Sequence, residues 1–243
     1  MPELSILIPT FNDETVLRGT VGKLHDTVTH SSLNVETLIV DDESTDGTLN
    51  VAQQLMADYP ALHIRVFARK RRHRGFGGLV RFGMAYATSP YCVIVSSDGH
   101  DPVELLPTFL AKLRSGCHLV QCSRYSRKED AESVPFFYRV YQAIYRRAIR
   151  LLLGMKIKDS TYGFRAFNRN YVHALGVSAN RFNICPEMTF KILLSGGMVE
   201  YIPGKQGSLK RGGSQKFRLP FEIFGYANVL RQAWFYRLGV PWF

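Results

Sequence analysis

The stretch VETLIVDDESTDGTLNVAQQLMADY (Val35–Tyr59) decides the fold class of this chain. Its apolar and β-branched beginning predicts a buried strand that ends at Asp42. The residues that follow predict a helix, with Ser44 or Thr45 as its N-cap and Asp46 in its first turn. A strand that leads directly into a helix is typical of the βαβ unit, from which parallel sheets are built.

The same alternation extends in both directions along the chain. Further strands are predicted at Leu4–Pro9, LHIRVFA (62–68), YCVIVSS (91–97) and Cys117–Ser123, and further helices at 14–28, 79–87 and 102–114. We therefore expect an α/β fold with a mainly parallel sheet flanked by helices on both faces. After residue 125 the rhythm breaks, and the pattern predicts a charged loop SRKED (126–130), a basic amphipathic helix (135–153), a helix near 186–194 and a strand MVEYIP (198–203).

Composition narrows the function classes. The chain has 243 residues, 46% of them hydrophobic, which is enough for a sizeable core and excludes a disordered protein. Lys and Arg outnumber Asp and Glu by 31 to 20, and such an excess attracts nucleotides, nucleic acid or anionic lipid headgroups. The four cysteines lack metal-finger spacing and predict reduced thiols in a cytosolic protein. No signal peptide or membrane-spanning run is expected.

Polar residues follow four of the predicted strands, at 9–13, 41–46, 96–101 and 123–125. Because ligands bind at the carboxyl ends of the strands in parallel sheets, these stretches predict one common site. For Asp41 we favour a ribose or base contact over a turn role, whereas for Asp46 we favour turn and capping chemistry.

The segment VIVSSDGHDP (Val93–Pro102) ends the fourth predicted strand with metal-type ligands. The carboxylate of Asp98 suits Mg²⁺ or Mn²⁺, and the imidazole of His100 fits Mn²⁺ better. The alternative is a simple Asp-Gly turn, with Asp101 capping the next helix. A metal role and a turn role both remain open from these residues alone.

The basic loop RKRRHRGFGG (69–78) has two further interpretations. Its glycines would let the backbone approach a phosphate closely, and its cations would attract an anion or a membrane surface. It is not a P-loop, because no Gly-Lys-Ser/Thr follows. The alternative is a solvated basic loop.

Seven motifs occur in order along the chain: LSILIPTFND, LIVDDESTDGT, HRGFGG, SSDGHDP, CSRY, KDSTYGFRAFNR and KRGGSQKFRL. Together they resemble the family 2 glycosyltransferases of the Rossmann-like GT-A fold, in the branch of polyprenyl-phosphate (dolichol-phosphate) mannosyl- and glucosyltransferases. The resemblance implies a GT-A domain over residues 1–219. It leaves a C-terminal segment, 220–243, whose interleaved aromatic and basic residues predict a membrane-proximal helix. The alternative is a helix that packs on its own domain or forms a subunit contact.

The resemblance also implies roles for individual residues. Pro9, Phe11, Asp13 and Asp41 match the stretches around the nucleotide, and Asp98 matches the second aspartate of a metal motif that usually reads Asp-Ala-Asp-x-Gln. In this chain His100 stands at the glutamine position, so the implied metal ligands for Mg²⁺ or Mn²⁺ are Asp98 and His100. The first aspartate is replaced by Ser96, which removes one carboxylate. A hydroxyl of Ser96 or Ser97 could hold a metal-bound water instead.

A second implied group holds phosphates. Arg124 matches an arginine near the donor diphosphate and the acceptor phosphate, and Arg139 lies near the position of another phosphate-binding arginine. Arg211, Ser214 and Lys216 match a basic loop that closes over both phosphates. The resemblance thus implies that Asp98, Arg124, Arg211 and Lys216 are catalytic, and that Arg124, Arg139, Arg211 and Ser214 bind the acceptor phosphate.

The implied activity is inverting transfer of mannose or glucose from a GDP- or UDP-type nucleotide sugar to a polyprenyl phosphate, by a peripheral enzyme on the cytosolic face of a membrane. Two alternatives stay open. A hydroxyl acceptor would need a base such as Asp159 or Glu187, although a structural role is favoured for both. The missing carboxylate at Ser96 would also fit a non-catalytic homologue. Nucleic-acid binding rests only on net charge and is not expected, because the basic residues cluster at the site and in the tail.

Overall fold

The computed structural model describes residues 1–70, 75–132, 134–207 and 219–242. Its centre is a seven-stranded sheet in the order β3-β2-β1-β4-β6-β5-β7. The strands are β1 (Leu4–Thr10), β2 (Val35–Asp41), β3 (Ile64–Ala68), β4 (Tyr91–Ile94), β5 (Leu119–Ser123), β6 (Arg165–Asn168) and β7 (Val199–Pro203).

The predicted mainly parallel sheet is confirmed, with one strand that the sequence pattern did not reveal. β1 pairs in parallel with β2 and β4, β2 with β3, and β5 with β7. β6 is antiparallel to both β4 and β5 and separates them. β6 has only four residues and lies within the motif KDSTYGFRAFNR. Four residues are too few for an alternation of apolar and polar side chains to identify a strand.

The helices cover both faces of the sheet, as predicted. They are α1 (Leu17–His30), α2 (Thr48–Asp58), α3 (Phe76–Tyr86), α4 (Leu106–Arg114), α5 (Lys128–Glu132), α6 (Phe136–Leu153), α7 (Arg169–Ala174), α8 (Ile184–Leu194) and α9 (Leu219–Arg237), with short 3-10 helices at Pro60–Leu62 and Val103–Leu105. Side chains of α1, α2 and α4 pack on one face of the sheet. Those of α3, α7 and α8 pack on the other.

Several local predictions are wrong. The N-cap of α2 is Gly47 rather than Ser44 or Thr45, and Asp46 lies before the helix, where its carboxylate accepts from the backbone N–H and hydroxyl of Thr48. Ser44 instead bonds to Asp41, because a hydroxyl three residues after a strand-end carboxylate can close a local turn.

Several helix positions also differ. The charged segment predicted as a loop contains the short helix α5. The helix starts differ as well, since α1 begins at Leu17 rather than at residue 14, α3 at Phe76 rather than at residue 79, and α4 at Leu106 rather than at residue 102. Element ends are the least certain part of a sequence-based prediction, because capping contacts from elsewhere in the chain choose among neighbouring start positions. The α3 start lies against the backbone of residues 179–181, where a side chain at Gly77 would collide with the Ala179 carbonyl.

A third apolar cluster joins α6 and α9 to the body of the protein. Tyr145 and Ile149 of α6 pack against Tyr226 and Val229 of α9, and Phe190 of α8 completes the contact. The Tyr145 hydroxyl donates to the Tyr226 backbone carbonyl at 3.0 Å. One face of α9 is therefore part of the folded core. In the described part of the chain, no helix combines the length and the apolar character needed to cross a bilayer.

Candidate active site

The four polar strand ends meet at one edge of the sheet. The backbone N–H of Asn12, after β1, donates to the Ser44 hydroxyl after β2 at 2.9 Å. The Ser97 hydroxyl, after β4, donates to the Asp13 carboxylate at 2.6 Å. These contacts arise because β1, β2 and β4 run in parallel, so their carboxyl ends are neighbours.

The residues implied in nucleotide binding lie at the end of β1 and β2. Pro9 is buried in β1, and Phe11 is half-buried just beyond it. Asp13 and Asp41 are each only 2% exposed. Asp13 accepts from the Phe11 backbone N–H at 3.0 Å, and Asp41 accepts from the N–H of Ser44 at 2.9 Å. Both carboxylates therefore hold the loops at this edge, and their contact with a nucleotide stays a prediction.

The turn after β4 brings Asp98 and His100 together. His100 Nδ1 lies 3.0 Å from Asp98 Oδ2, and the imidazole is 8% exposed while the Asp98 side chain is 35% exposed. Gly99 takes a positive φ of 72°, which lets the turn fold back tightly. Lys23 donates to the Gly99 carbonyl at 2.9 Å, and the N–H of Gly207 donates to the His100 carbonyl at 2.8 Å. The pair is thus held from two sides.

This pair passes a simple test for a divalent cation. His100 Nδ1 is buried and makes no hydrogen bond of acceptable geometry with any described residue, although a carboxylate oxygen lies beside it. A nitrogen and an oxygen that lie this close at a strand end are placed so that both could be ligands of one ion. The described residues hold no cluster of three or more His, Cys, Asp or Glu side chains that could bind a metal. Substrate oxygens would have to complete the coordination, as is common for Mg²⁺.

Asp101 does not cap the next helix, contrary to one alternative from the sequence. It is 6% exposed, and its two oxygens accept from the Ser96 N–H at 2.6 Å and from the Tyr162 hydroxyl at 2.7 Å. Burial raises the pKa of Asp101 to about 7, and the neighbouring Asp98 adds to the rise. Asp101 thus fixes the start of the Asp98 turn, because it holds the backbone of Ser96.

Arg124, after β5, forms a buried ion pair with Asp159. Its Nε and Nη2 lie 2.9 and 3.2 Å from the carboxylate oxygens, and the side chains are 14% and 0% exposed. Burial opposes the charge of Arg124, but the adjacent Asp159 outweighs it and holds the arginine pKa above its usual value. Among the described residues, Nη1 has one weak contact, with Gln206 at 3.5 Å. That corner of the guanidinium is the part best able to meet a ligand.

Tyr162 connects the two halves of the site, and sequence reasoning did not single it out. Its ring lies under the Arg124 guanidinium at 4.5 Å, and its hydroxyl reaches Asp101 on the β4 side. The N–H of Tyr162 donates to Asp159 at 3.3 Å. Tyr162 belongs to the quoted motif KDSTYGFRAFNR, so the motif itself was the available signal.

Of the other residues that the resemblance implies in phosphate binding, one lies in a described segment and three lie outside the described residues. Arg139 lies on the exposed side of α6. Arg211, Ser214 and Lys216 lie outside the described residues, as do residues 71–74 of the basic loop. Within that loop, Arg69 pairs with Asp42 at 2.8 Å, so this cation has a structural carboxylate partner.

Glu187 and Asp159 have the contacts of structural carboxylates. Glu187 is 1% exposed and accepts from the N–H groups of Ser178 and Ala179 at 2.9 and 2.8 Å. It also pairs with Lys191 at 3.4 Å. These contacts favour the structural role over that of a base toward a hydroxyl acceptor.

Comparison with known proteins agrees with this geometry. The family profile described as Glycosyl transferase family 2 matches residues 5–176. The dolichol-phosphate mannosyltransferase of Pyrococcus furiosus is 28% identical over 215 residues, which are 88% of this chain and 59% of that protein. The polyprenol monophosphomannose synthase of Mycolicibacterium smegmatis is 30% identical over 72% of this chain and 64% of that protein. This chain therefore spans about three fifths of the length of these two relatives.

Two further comparisons cover more of the partner. The undecaprenyl-phosphate mannosyltransferase of Micrococcus luteus is 28% identical over 81% of this chain and 80% of that protein. Among solved structures, glucosyl-3-phosphoglycerate synthase from Mycobacterium tuberculosis, in complex with Mn²⁺, UDP-glucose and phosphoglyceric acid, superposes with a TM-score of 0.65. The match covers 99% of this chain and 81% of that one at 17% identity, which shows a shared fold. Since the family profile covers most of the sheet and the strand-end site, the chain belongs to glycosyl transferase family 2.

Proposed function

We propose that this chain is an inverting glycosyltransferase that moves mannose or glucose from a nucleotide sugar to a polyprenyl phosphate at a membrane surface. The observation that carries the proposal is the link from Arg124 through Tyr162 to Asp101, which lies next to His100 in the turn that holds the Asp98–His100 pair. Such a site offers ligands for a cation beside a guanidinium, which suits two phosphate groups brought together. Relatives named for lipid-phosphate mannosyl transfer support the acceptor class.

On the donor side, Asp98 and His100 would hold Mg²⁺ or Mn²⁺, and Pro9, Phe11, Asp13 and Asp41 would surround the nucleotide. The bound ion would neutralise the charge of the leaving diphosphate. A fold neighbour that was crystallised with Mn²⁺ and UDP-glucose supports the use of a divalent ion. The Ser97 hydroxyl already donates to the Asp13 carboxylate. Of the two hydroxyls that could hold a metal-bound water, we therefore favour that of Ser96.

On the acceptor side, the chemistry requires no general base. A phosphomonoester carries a charge of about −1.5 to −2 near neutral pH, so its oxygen can attack the anomeric carbon directly. The bond from that carbon to the diphosphate oxygen breaks, and the nucleoside diphosphate leaves with the electron pair. Arg124 would orient the two anions and offset their repulsion. We propose the same role for Arg139, Arg211, Ser214 and Lys216. In-line attack inverts the configuration.

Exposed apolar side chains on α6 and α9 support attachment to a lipid surface. Phe137, Ile144 and Leu151 of α6 are 79%, 65% and 73% exposed, and Phe224 of α9 is 80% exposed. Arginines interleave with these residues along both helices, as in helices that lie in a bilayer interface. We propose that the membrane-proximal part comprises α6 as well as the C-terminal segment 220–243. The four cysteines are free and buried, which supports the cytosolic face.

A donor screen tests the proposal directly. The full chain is incubated with a short-chain polyprenyl phosphate and with GDP-mannose, UDP-glucose and related donors, with Mg²⁺ or Mn²⁺ added separately. We expect a β-linked polyprenyl phosphosugar from one donor. Transfer only to hydroxyl acceptors, or tight nucleotide-sugar binding with no turnover under any metal, would overturn the proposal.

Vesicle sedimentation tests the membrane part with point variants. Deleting the tail would remove the buried Tyr226 and disturb the core, so exposed positions are better. F137S and F224S should reduce binding to anionic vesicles, and Y86S, which changes a 47% exposed aromatic on α3, is the matched control. Equal sedimentation of all three variants and wild type would show that α6 and α9 do not attach the protein to the membrane.

A further inference from the structure

Buried polar atoms without a partner gather beside Arg124. The Tyr125 hydroxyl, the Ser126 hydroxyl and the Gln142 amide oxygen are shielded from solvent, yet none has a hydrogen-bond partner among the described residues. Leaving such atoms unpaired is unfavourable, so a cluster of them marks a place where a ligand or water completes the bonding. Gln142 lies in the same pocket as Arg124, because both donate to the Thr161 hydroxyl.

Arg146 of α6 also lies against the ring of Tyr125. Its guanidinium carbon lies 4.9 Å from the centre of the Tyr125 ring, and that of Arg124 lies 5.5 Å from it. Nε and Nη1 of Arg146 donate to the backbone carbonyls of Gln142 and Lys158, at 3.3 and 3.1 Å. Nη2 has no partner in the part of the chain that the structure describes. Two bonds therefore fix the guanidinium and leave one edge of it available.

The local charge matches a phosphomonoester. Arg124, Arg146 and Arg139 all act electrostatically on Tyr125, and Asp159 is the acidic group that opposes them. Among these four groups the arginines outnumber the carboxylate, and an excess of positive charge suits a phosphomonoester, which carries a charge of about −1.5 to −2. Burial raises the pKa of Tyr125 to about 12 despite these arginines, so its hydroxyl keeps its proton and can donate.

We propose that the Tyr125 hydroxyl and the Arg146 guanidinium bind the phosphate of the acceptor, which is a phosphomonoester. This inference rests on the proposed function and adds two residues to its acceptor side. The phosphate would lie over Tyr125, with Arg146 on the α6 side and the Nη1 corner of Arg124 on the β5 side. Asp159 already pairs with Arg124. Of the two arginines, Arg146 is therefore the one that has no carboxylate partner among the described residues.

The test compares Y125F and R146Q with R147Q in the full chain. Arg147 is the exposed neighbour of Arg146 on α6, so R147Q removes the same charge from the same helix. We expect R146Q to raise the acceptor KM by about 10- to 100-fold, as for loss of a hydrogen bond to a charged group. Y125F should raise it by about 10-fold or more, because the hydroxyl donates to a charged acceptor. With a short-chain polyprenyl phosphate as acceptor and no vesicles present, so that membrane contact of α6 plays no part, the acceptor KM of R147Q and the donor KM in all variants should stay near wild type.

Stability separates ligand binding from folding. Y125F deletes a buried hydroxyl that bonds to no described residue, so its Tm should equal or exceed that of wild type. A lower Tm for Y125F, an acceptor KM unchanged in both Y125F and R146Q, or an equal rise in donor KM would overturn the inference.

Calorimetric titration with a short-chain polyprenyl phosphate distinguishes the two proposals. If wild type binds this probe, and R146Q weakens binding while R147Q does not, the site stands even when no donor yields transfer, and the proposed function alone fails. If wild type does not bind the probe, the inference fails as well.

Discussion

Replacing Asp159 with Asn tests how much the buried ion pair between Arg124 and Asp159 stabilises the fold. The carboxylate is 0% exposed and Arg124 is 14% exposed, so D159N leaves a nearly buried guanidinium without its counter-ion. The amide oxygen of Asn can still accept from the N–H groups of Thr161 and Tyr162, which now donate to Asp159 at 3.1 and 3.3 Å. The change therefore isolates the loss of charge from the loss of the turn.

The expected cost follows from burial. Removing one partner of a buried ion pair costs about 3–5 kcal/mol, and the partial exposure of Arg124 places this case near about 3 kcal/mol. For a chain of this length, each kcal/mol corresponds to about 2–4 °C, so the Tm should fall by about 6–12 °C. The assay is denaturant unfolding followed by circular dichroism, with thermal melts in parallel.

The exposed pair of Arg18 and Asp58 provides the matched control. Their side chains are 48% and 44% exposed at a separation of 2.5 Å, so D58N should cost no more than about 1 kcal/mol. If D159N were no more destabilising than D58N, Asp159 would not be the counter-ion that holds Arg124. The description of the acceptor side would then have to be revised.

Three further predictions concern the same edge and the core. Y162F should cost about 1–3 kcal/mol in unfolding free energy and lower transfer activity, because it removes the donor from one of the two oxygens of the buried Asp101; unchanged stability and activity would contradict the linking role of Tyr162. H100A should raise the Mn²⁺ concentration for half-maximal activity by at least about tenfold, while H30A, at an exposed histidine, should not; equal metal dependence would exclude His100 as a ligand. Burial opposes the ionisation of Glu36, but its hydrogen bonds outweigh burial and lower its pKa from 4.5. The stability that the Glu36 carboxylate contributes is therefore present above pH 4.5 and is lost as the pH falls through the lowered pKa. Denaturant unfolding should show E36Q less stable than wild type at pH 7, with the difference in unfolding free energy closing below about pH 4. A pH-independent gap would show that the charge of Glu36 is irrelevant.

The sequence pattern predicts the site in outline because parallel topology places strand ends together. Asp13, Asp41, Asp98 and Arg124 were all expected at one edge from the alternation of strands and helices alone, and the structure places them there. That inference needs no knowledge of side-chain contacts, since any βαβ arrangement brings the carboxyl ends of its strands to one side.

The pattern did not predict how these residues are joined. Tyr162 and Asp159 lie more than 30 residues from Arg124 along the chain, and they reach it because β6 inserts between β4 and β5. A four-residue antiparallel strand has too short a period to recognise, so the crossing that positions both side chains is not visible in sequence. The wrong N-cap of α2 has the same origin, because long-range contacts decide where polar turns close.

The sequence by itself determined the fold class, the order of the central elements and the edge at which the chemistry lies, because hydrophobic periodicity and strand-end polarity are local properties of the chain. Only the tertiary structure decided which charges are compensated. It pairs Arg124 with Asp159 and places Arg146 beside a Tyr125 hydroxyl that has no hydrogen-bond partner among the described residues. Electrostatic compensation depends on separations of a few ångströms between residues distant in sequence, and those separations are set by packing of the whole fold.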